Sequence, residues 1–421
     1  MPNNLIAAID IGSVNNSVAF MDTNGDVITE LKKLSNNLPG INKLWDEATK
    51  LLREYNLDCV DFVMESTGPY WFGPYWWLKD KCSPFKPSSV TALNSQIVSG
   101  FKGKFSHKKQ KTDPKDAKAV GNRFRFGQFD PVYVPQGNLL KLRLYTRYRL
   151  HVVQSLVAAK SFFLCYLFLK MSEYSRYCKK KGGDDKLFAN TFGATSSLVI
   201  TNYPSAEELA NAPFDELSSL ISSASKGLIK DPVSRAAIAK GMASDCYPLP
   251  EEAKEAVSFI LNQTLSLTSF LEERLKIVDD KIGPVLCEID DPVKTIPGIG
   301  TVFAAGIIAE VGDLSRFKAH PHLASYLGII PSMDDTGQFQ STLNHMTKTG
   351  NSYGRYYFIE AANSLRRNNP TFKDYFQRKL AENPKKFKRA LGLTARKLIR
   401  VYFAIKTKNQ QFKTSPMSLE A

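Results

Sequence analysis

The sequence predicts an α/β N-terminal domain, a long helical middle of coiled-coil type, and a mostly α-helical C-terminal domain. Three observations carry this reading. Apolar runs of strand length, "LIAAIDI" at 5–11 and "CVDFVME" at 59–65, flank a stretch of helical periodicity. Two long apolar stripes stepping by three and four residues follow, one from about 138 to 171 and one from 257 to 282. The chain then closes with a glycine turn, an apolar helix and a basic amphipathic helix. With 421 residues it exceeds one ordinary domain. The expected divisions are 1–136, 137–289 with a small helical insert at about 172–250, and 290–421.

The N-terminal elements follow from local pattern. "LIAAIDI" is apolar except for Asp10, as befits a central strand buried on both faces. "NSVAFMD" and "VITELKK" sit either side of "TNGD", and Asn24-Gly25 between two apolar runs signals a hairpin. Leu44, Ala48, Leu51 and Leu52 recur at helical spacing, which predicts a helix over 40–55. "CVDFVME" is a second buried strand ending at Glu65, and "STGPYWFGPYWWL" is a loop entering an aromatic helix. The spacing of Trp71, Tyr75 and Leu78 fits one buried helix face, and the same aromatic group from Tyr70 to Trp77 has the chemistry to stack on nucleobases.

In the middle, Tyr145, Tyr148, Val152, Leu156, Ala159, Phe163 and Tyr166 form one stripe. Val257, Ile260, Thr264, Leu267, Leu271, Leu275, Val278 and Ile282 form the other. They suit an antiparallel coiled coil or two ordinary core helices. "TNYPSAEELANAPFDELSSLISSAS" between them reads as two short helices, each with an acidic first turn. Near the end Phe387, Leu391, Ala395, Leu398 and Tyr402 share a helix face, with Lys386, Arg389, Arg396, Lys397 and Arg400 on the rest.

Composition narrows the function. Lysine and arginine exceed the acids to give a net charge of +15, which points to a polyanionic partner, with nucleic acid ahead of an acidic membrane. The six cysteines lack CxxC spacing and the five histidines form no HExxH, so any metal is expected on carboxylates, as suits Mg²⁺ or Mn²⁺. The start "MPNNLIAAIDIG" has no signal-peptide pattern, and "LVAAKSFFLCYLFLK" is broken by Lys160 and is shorter than the roughly 20 residues of a membrane span. An intracellular, soluble protein is expected.

Four acids stand out. A carboxylate inside an apolar strand, such as Asp10, needs a metal, a partner or a strand-end position. Glu65 ends its strand in the same way, and strand ends are where α/β folds gather chemistry. In "KTDPKDA", Asp113 precedes Pro114, so Asp113 and Asp116 are read either as a helix cap with its N3 partner or as two acids on one side of a helix facing the strand ends. Lys108, Lys109, Lys111, Lys115 and Lys118 around them suit a phosphate backbone.

The ordered set "AIDIGSVNNSVAF", "MESTGPYW" and "KTDPKDA", followed by "TIPGIGTVFAAGIIAEVGDLSRF", "LASYLGIIPS" and "MTKTGNSYGRYYFIEAANSLRR", resembles the DEDD transposases of bacterial and archaeal insertion sequences. The resemblance runs over essentially the whole chain. It implies an RNase H-like, RuvC-type N-terminal domain with Asp10, Glu65, Asp113 and Asp116 as a Mg²⁺-binding tetrad. It further implies a C-terminal transposase domain that supplies a nucleophilic hydroxyl, and a cytoplasmic, nucleoid-associated enzyme that cuts and rejoins double-stranded donor and target DNA. A guide (bridge) RNA encoded by the element, and homodimers meeting as a homotetramer, complete what the resemblance implies. The family's nucleophile is a serine before glycine. Here "GIIPSMDDTGQFQST" places Thr336 before Gly337, so Thr336 is the expected nucleophile, with Ser332 and Ser341 as alternatives.

Gly298 and Gly300 in "TIPGIG" permit a tight turn before a helix N-terminus, a site for a DNA phosphate that is similar to a helix-hairpin-helix element. Lys348 beside Gly350, and Arg396 and Lys397 on the last helix, are further expected nucleic-acid contacts. The competing readings are a RuvC-like junction endonuclease using metal-activated water, a sugar kinase for which no second phosphate loop is found, and a non-catalytic nucleic-acid-binding relic.

Overall fold

The computed structural model describes residues 4–84, 88–105, 113–179, 187–331 and 345–413, apart from the side chains of 102–105 and 113–114. The chain divides into two compact units, Met1–Val134 and Pro135–Ala421. The expected helical middle and C-terminal domain thus fall within one unit.

The first unit is built on five strands: β1 (Asn4–Asp10), β2 (Asn15–Met21), β3 (Val27–Ser35), β4 (Cys59–Glu65) and β5 (Ser89–Leu93). Their order across the sheet is β3-β2-β1-β4-β5. The first three pair antiparallel, whereas β1–β4 and β4–β5 are parallel. The helices are α1 (Leu38–Glu54), α2 (Phe72–Cys82), α3 (Ser95–Phe105) and α4 (Asp113–Phe126). Gly25 makes the β2–β3 turn at φ +97°, where the Asp22 carboxylate accepts from the Gly25 and Asp26 amides.

Strand alternation sorts the sheet into two cores. Leu5, Ala7, Ile9, Val60, Phe62 and Met64 meet Leu44 and Ala48 of α1 and Tyr75 and Leu78 of α2. Ile6, Ala8, Val63 and Leu93 meet Val98 of α3 and Ala117 and Val120 of α4. The aromatic group serves the first of these cores: Trp71, Trp76 and Trp77 pack against it, and Tyr70 alone of the tryptophans and tyrosines there is exposed.

The second unit is helical. Its frame is α5 (Gly137–Lys170), joined through α6 (Tyr174–Lys179), α7 (Ala194–Asn202), α8 (Ala206–Asn211), α9 (Phe214–Ser225) and α10 (Pro232–Ser244) to α11 (Glu251–Cys287). Polar pairs Asn138–Glu288, Arg149–Asp279 and Lys160–Glu272 rise along α5 while they fall along α11, so the two helices run antiparallel. Ser205 caps α8 by accepting from the Glu208 amide, and the first turn is acidic, as expected from sequence. After α11 come α12 (Thr301–Val311), α13 (His320–Tyr326), α14 (Ser352–Asn368), α15 (Pro370–Ala381) and α16 (Phe387–Thr407).

One core encloses the far end of the pair, with Phe163, Leu167, Val257 and Leu261 against α7–α10. The other encloses the near end, with Leu142, Val278, Ile282 and Leu286 against α12, α14 and α16. The inward face of α5 differs from the expected stripe. Tyr148 is exposed, while Leu142, Arg143, Thr146, Leu150, Val152, Phe163, Leu167 and Lys170 are buried. A helix that is apolar on most of its circumference carries little orientational signal, so neighbouring helices choose its face.

By length and composition α5 is also the one described helix apolar enough to cross a membrane. Its Arg147, Arg149 and Lys160 each pair with an acid of the same unit: Glu310, Asp279 and Glu272.

Candidate active site

Asp10 is the last residue of β1 and Glu65 the last of β4. These strands are parallel neighbours whose last pair is Ile9 with Met64, so the two acids follow side by side in register. Alternation puts Asp10 on the face of Ile6 and Ala8, and Glu65 on the face of Val63, the face that α4 covers. Both acids are half-buried, and Glu65 Oε1 accepts from Thr67 Oγ1 at 2.9 Å. The chain leaves Asp10 through a tight turn. A Cβ on Gly12 would lie 2.3 Å from the Asn15 carbonyl oxygen, and the buried Asn16 side chain accepts from the Gly12 amide.

Three contacts give the direction of α4. Arg125, near its end, lies against Gly25 in the β2–β3 turn, at the Met21 end of β2. Met21 pairs with Ile6, early in β1. Gly121 lies against Ala8 and Met21 so closely that a Cβ there would come within 2.9 Å of Ala8 Cβ and 2.6 Å of Met21 Sδ. The helix therefore runs opposite to β1, with its N-terminus toward the strand's C-terminal end. From Gly121 back to Asp116 is roughly 7.5 Å of helix; from Ala8 to Asp10 is roughly 6.6 Å of strand. Asp116, half-buried and one turn before buried Val120, stands at the level of Asp10. Asp113 opens the helix one turn before buried Ala117, and its side chain lies outside the described residues. Among the described residues, no three His, Cys, Asp or Glu stand close enough to hold a metal ion. The donor chemistry of Asp10, Glu65 and Asp116 is all carboxylate oxygen, which fits a hard divalent cation.

The basic and nucleophilic candidates divide. Lys115 and Lys118 are exposed on α4, whereas Lys108, Lys109 and Lys111 lie outside the described residues. So do Thr336, Ser332 and Ser341. In the second unit Gly298 has φ +98°, and its carbonyl accepts from Ser364 Oγ at 2.8 Å. Gly300 is the N-cap of α12 and offers no side-chain cap, so the first turn of α12 keeps its amides toward an exposed end. Lys348 is exposed at φ +55°. Arg396 is exposed and lines, with His320, Tyr375, Lys397 and Arg400, a cleft of about 190 Å³. Lys397 is partly withdrawn: its Nζ donates to the Thr371 carbonyl at 3.1 Å and lies 4.7 Å from the Tyr375 ring centre. Burial, then Arg378 and Arg400, hold it below the usual lysine range.

Sequence reasoning passed over Glu310. It is fully buried in α12, in the run "GIIAEV", and Arg147, Asn351 and Arg143 engage it. Arg147 of α5 binds it in bidentate fashion at 2.7 and 2.8 Å, and Asn351 Nδ2 donates to it at 2.8 Å. Burial alone would push this carboxyl up; the bonds and charge of Arg147, with Arg143 and Asn351, outweigh it and hold Glu310 below the ordinary glutamate value. The signal that marked Asp10, one acid in an apolar run, was present at Glu310 as well.

A family model for DEDD transposases of the IS110 type, described as "Transposase", matches residues 7–167. A second, "Transposase IS116/IS110/IS902 family", matches residues 290–377, and together they cover more than half of the chain. An "Insertion element IS116 uncharacterized 44.8 kDa protein" of Streptomyces clavuligerus is 24% identical over 73% of this chain and 73% of its own length. The "Transposase for insertion sequence element IS1111A" of Coxiella burnetii is 25% identical over 41% of this chain and 47% of its own. An "Insertion element IS110 uncharacterized 43.6 kDa protein" of Streptomyces coelicolor is 31% identical over 33% of this chain and 34% of its own. The mixed sheet that carries Asp10 and Glu65 accordingly belongs to a DEDD domain, which is RNase H-like. The chain belongs to the IS110/IS116 family of insertion-sequence transposases.

Proposed function

We propose that this transposase cuts and rejoins DNA strands by phosphoryl transfer to its own hydroxyl, with Asp10, Glu65, Asp113 and Asp116 as the metal-binding acids and Thr336 as the nucleophile. The observation that carries the reading is the placement of Asp10 and Glu65 at adjacent strand ends, on the sheet face covered by the helix that starts at Asp113. DEDD transposase domains generally use divalent metal ions, and these oxygens suit Mg²⁺ or Mn²⁺. When bound, such ions supply charge stabilisation at the attacking and leaving oxygens of a phosphodiester.

Asp10 and Glu65 hold their carboxylates at the C-terminal ends of two neighbouring inner strands, and Gly121 seats α4 close enough to bring Asp116 level with them. The Thr336 oxygen forms a bond to phosphorus as the bridging P–O bond breaks. The hydroxyl proton leaves the threonine, and the departing oxygen is protonated or rejoined to another strand. Reversal by a different strand end releases Thr336 and completes the exchange. Lys109, Lys111 and Lys115, the Gly298–Gly300 turn, Lys348, Arg396 and Lys397 hold backbone phosphates without choosing sequence. The guide RNA chooses sequence, and the homodimer assembles to a homotetramer through the paired α5–α11 arm, the coiled coil of this reading. Family resemblance supports both. The enzyme works in the cytoplasm on nucleoid DNA.

The test is trapping of a covalent protein–DNA adduct with the purified protein, its element RNA and DNA. Wild type is expected to form the adduct, and Thr336→Ala to form none. Asp10→Ala is expected to bind nucleic acid normally and to cut nothing. Cutting without an adduct would replace the threonine by water and favour a RuvC-like endonuclease. Loss of binding in Asp10→Ala would count against the metal site.

A further inference from the structure

We infer that Asn36 is a positioning residue for the divalent cation of the acid site: its side-chain amide ties together the two loops that leave Asp10 and Glu65. This rests on the reading of those two acids given above. The β1–β4 ladder ends at Ile9 with Met64. Asp10 pairs outward with Ser17 of β2, and Glu65 outward with Leu93 of β5. Beyond the ladder the spacing of the two acids depends on the loops that follow them, 11–14 before β2 and 66–71 before α2. Two ionised carboxylates side by side repel. Untied loops would let them drift apart before a cation arrives.

Asn36 Nδ2 donates to the Gly12 carbonyl at 2.8 Å and to the Tyr70 carbonyl at 3.3 Å, one acceptor in each loop. A side-chain amide nitrogen carries two hydrogens and no charge, so it serves both carbonyls at once; aspartate would offer them only acceptors, and serine one donor. Asn36 is itself anchored on both sides. Ser35 before it pairs with Asn15, and the Asn36 amide donates to the Val14 carbonyl at 2.7 Å. Asn37 after it caps α1 by accepting from the Gly40 amide at 3.0 Å. A side chain on Gly40 would run into the Ser35 carbonyl, so α1 starts hard against the end of β3. Each tied loop also reaches back toward its acid. The Gly12 amide donates to the buried Asn16 side chain at 3.2 Å. The Thr67 amide donates to the Glu65 carbonyl, and the Thr67 hydroxyl to the Glu65 carboxylate, both at 2.9 Å. Loss of an outer partner that orients metal ligands typically costs about 10- to 100-fold in metal affinity.

The test is Mn²⁺ titration of the full chain, read by electron paramagnetic resonance. Mn²⁺ that wild type binds and Asp10→Asn does not belongs to the acid site. Asn36→Ala is expected to weaken that binding about tenfold or more. Hydrogen exchange of the Gly12 and Thr67 amides is expected to speed up about tenfold, with the interiors of β1 and β4 unchanged. The melting midpoint in chelator should stay within about 2 °C of wild type. Strand cleavage by Asn36→Ala should return toward the wild-type rate as Mn²⁺ is raised, a recovery that a merely structural loss would not allow. Asn36→Ser, with one donor for two carbonyls, shifts Mn²⁺ affinity in the same direction and serves if Asn36→Ala does not fold. Wild-type Mn²⁺ affinity in these variants, or cleavage that added Mn²⁺ does not restore, overturns the inference. Mn²⁺ binding that is unchanged in Asp10→Asn instead sinks the reading of the acids on which it rests.

Discussion

Asp10 and Glu310 pose the same question in the sequence and receive opposite answers in the structure. Each is a lone acid in an apolar run, "LIAAIDI" in one unit and "GIIAEV" in the other. Asp10 closes its strand, half-buried, beside Glu65 and beneath the start of α4. Glu310 sits in the last turn of α12 with no exposed surface, and its oxygens are claimed by Arg147 and Asn351. The contrast lies in where each carboxylate can find compensation. A buried acid far from any opening must be neutralised by the protein itself. An acid at a strand end can share its charge with a ligand that arrives later. Enclosure by its own partners marks Glu310, and a strand end beside a second acid marks Asp10.

The largest expected effects test this contrast directly. Asp10→Asn should lower single-turnover cleavage by about 10³-fold or more. Its stability without metal should stay level or rise by up to about 1 kcal/mol, since two like charges no longer stand side by side. Glu310→Ala should do the reverse at the level of folding. Leaving Arg147 and Arg143 without their acid is expected to cost about 3–5 kcal/mol in denaturant unfolding. A Glu310→Met/Arg147→Met double variant should recover part of that loss, since Arg143 still lacks its acid. If Asp10→Asn proves the more destabilising of the two single changes, the contrast is wrong.

A smaller effect comes from pH. The folded Glu310 carboxyl titrates below its unfolded value, so its contribution to stability is complete above about pH 4.3 and fades as pH falls through the folded value. Unfolding curves of wild type and Glu310→Gln should therefore converge toward acid and diverge toward neutrality.

A second pH effect belongs to Lys170, a buried cation in the other core of the helical unit. Its Nζ donates to the Ile200 carbonyl at 2.7 Å and to Ser258 Oγ at 3.2 Å. Burial pulls its pKa from 10.5 to about 8, against a weak opposing pull from Glu208. Between those two values the unfolded chain binds the proton more firmly, so this group adds stability as pH rises through the window and costs stability below it. Relative to Lys170→Met, wild type should gain stability between about pH 8 and pH 10.4, and a flat difference across that range would argue against the lowered pKa of this lysine.

Much of the N-terminal fold could be read from pattern because its signals are local. Residues 59–65 form the strand expected of them, the Asn24-Gly25 turn joins β2 to β3, and α1 covers the expected helix. β5 and α3 went unread because "SVTAL" and "SQIVSGFKGKF" are short and only weakly periodic. The inward face of α5 was read only in part: Val152 and Phe163 are buried as expected, but Arg143, Thr146 and Lys170 are buried there too, and only their partners on other elements make that tolerable. Asp10 and Glu65 could be picked out as strand-end acids. That they share a face and lie in adjacent register needed the β1–β4 pairing.

Sequence alone therefore determined most of the N-terminal elements, the basic charge and the strand-end acids Asp10 and Glu65, since each depends on neighbours within a few residues along the chain. Tertiary structure decided which acids meet, which face of α5 turns inward and which carboxylate is enclosed. Those outcomes depend on contacts between residues far apart in sequence, such as Arg147 with Glu310 and Gly121 with Ala8. A one-dimensional pattern cannot register them, because the free energy of a buried charge is set by the groups that surround it in space.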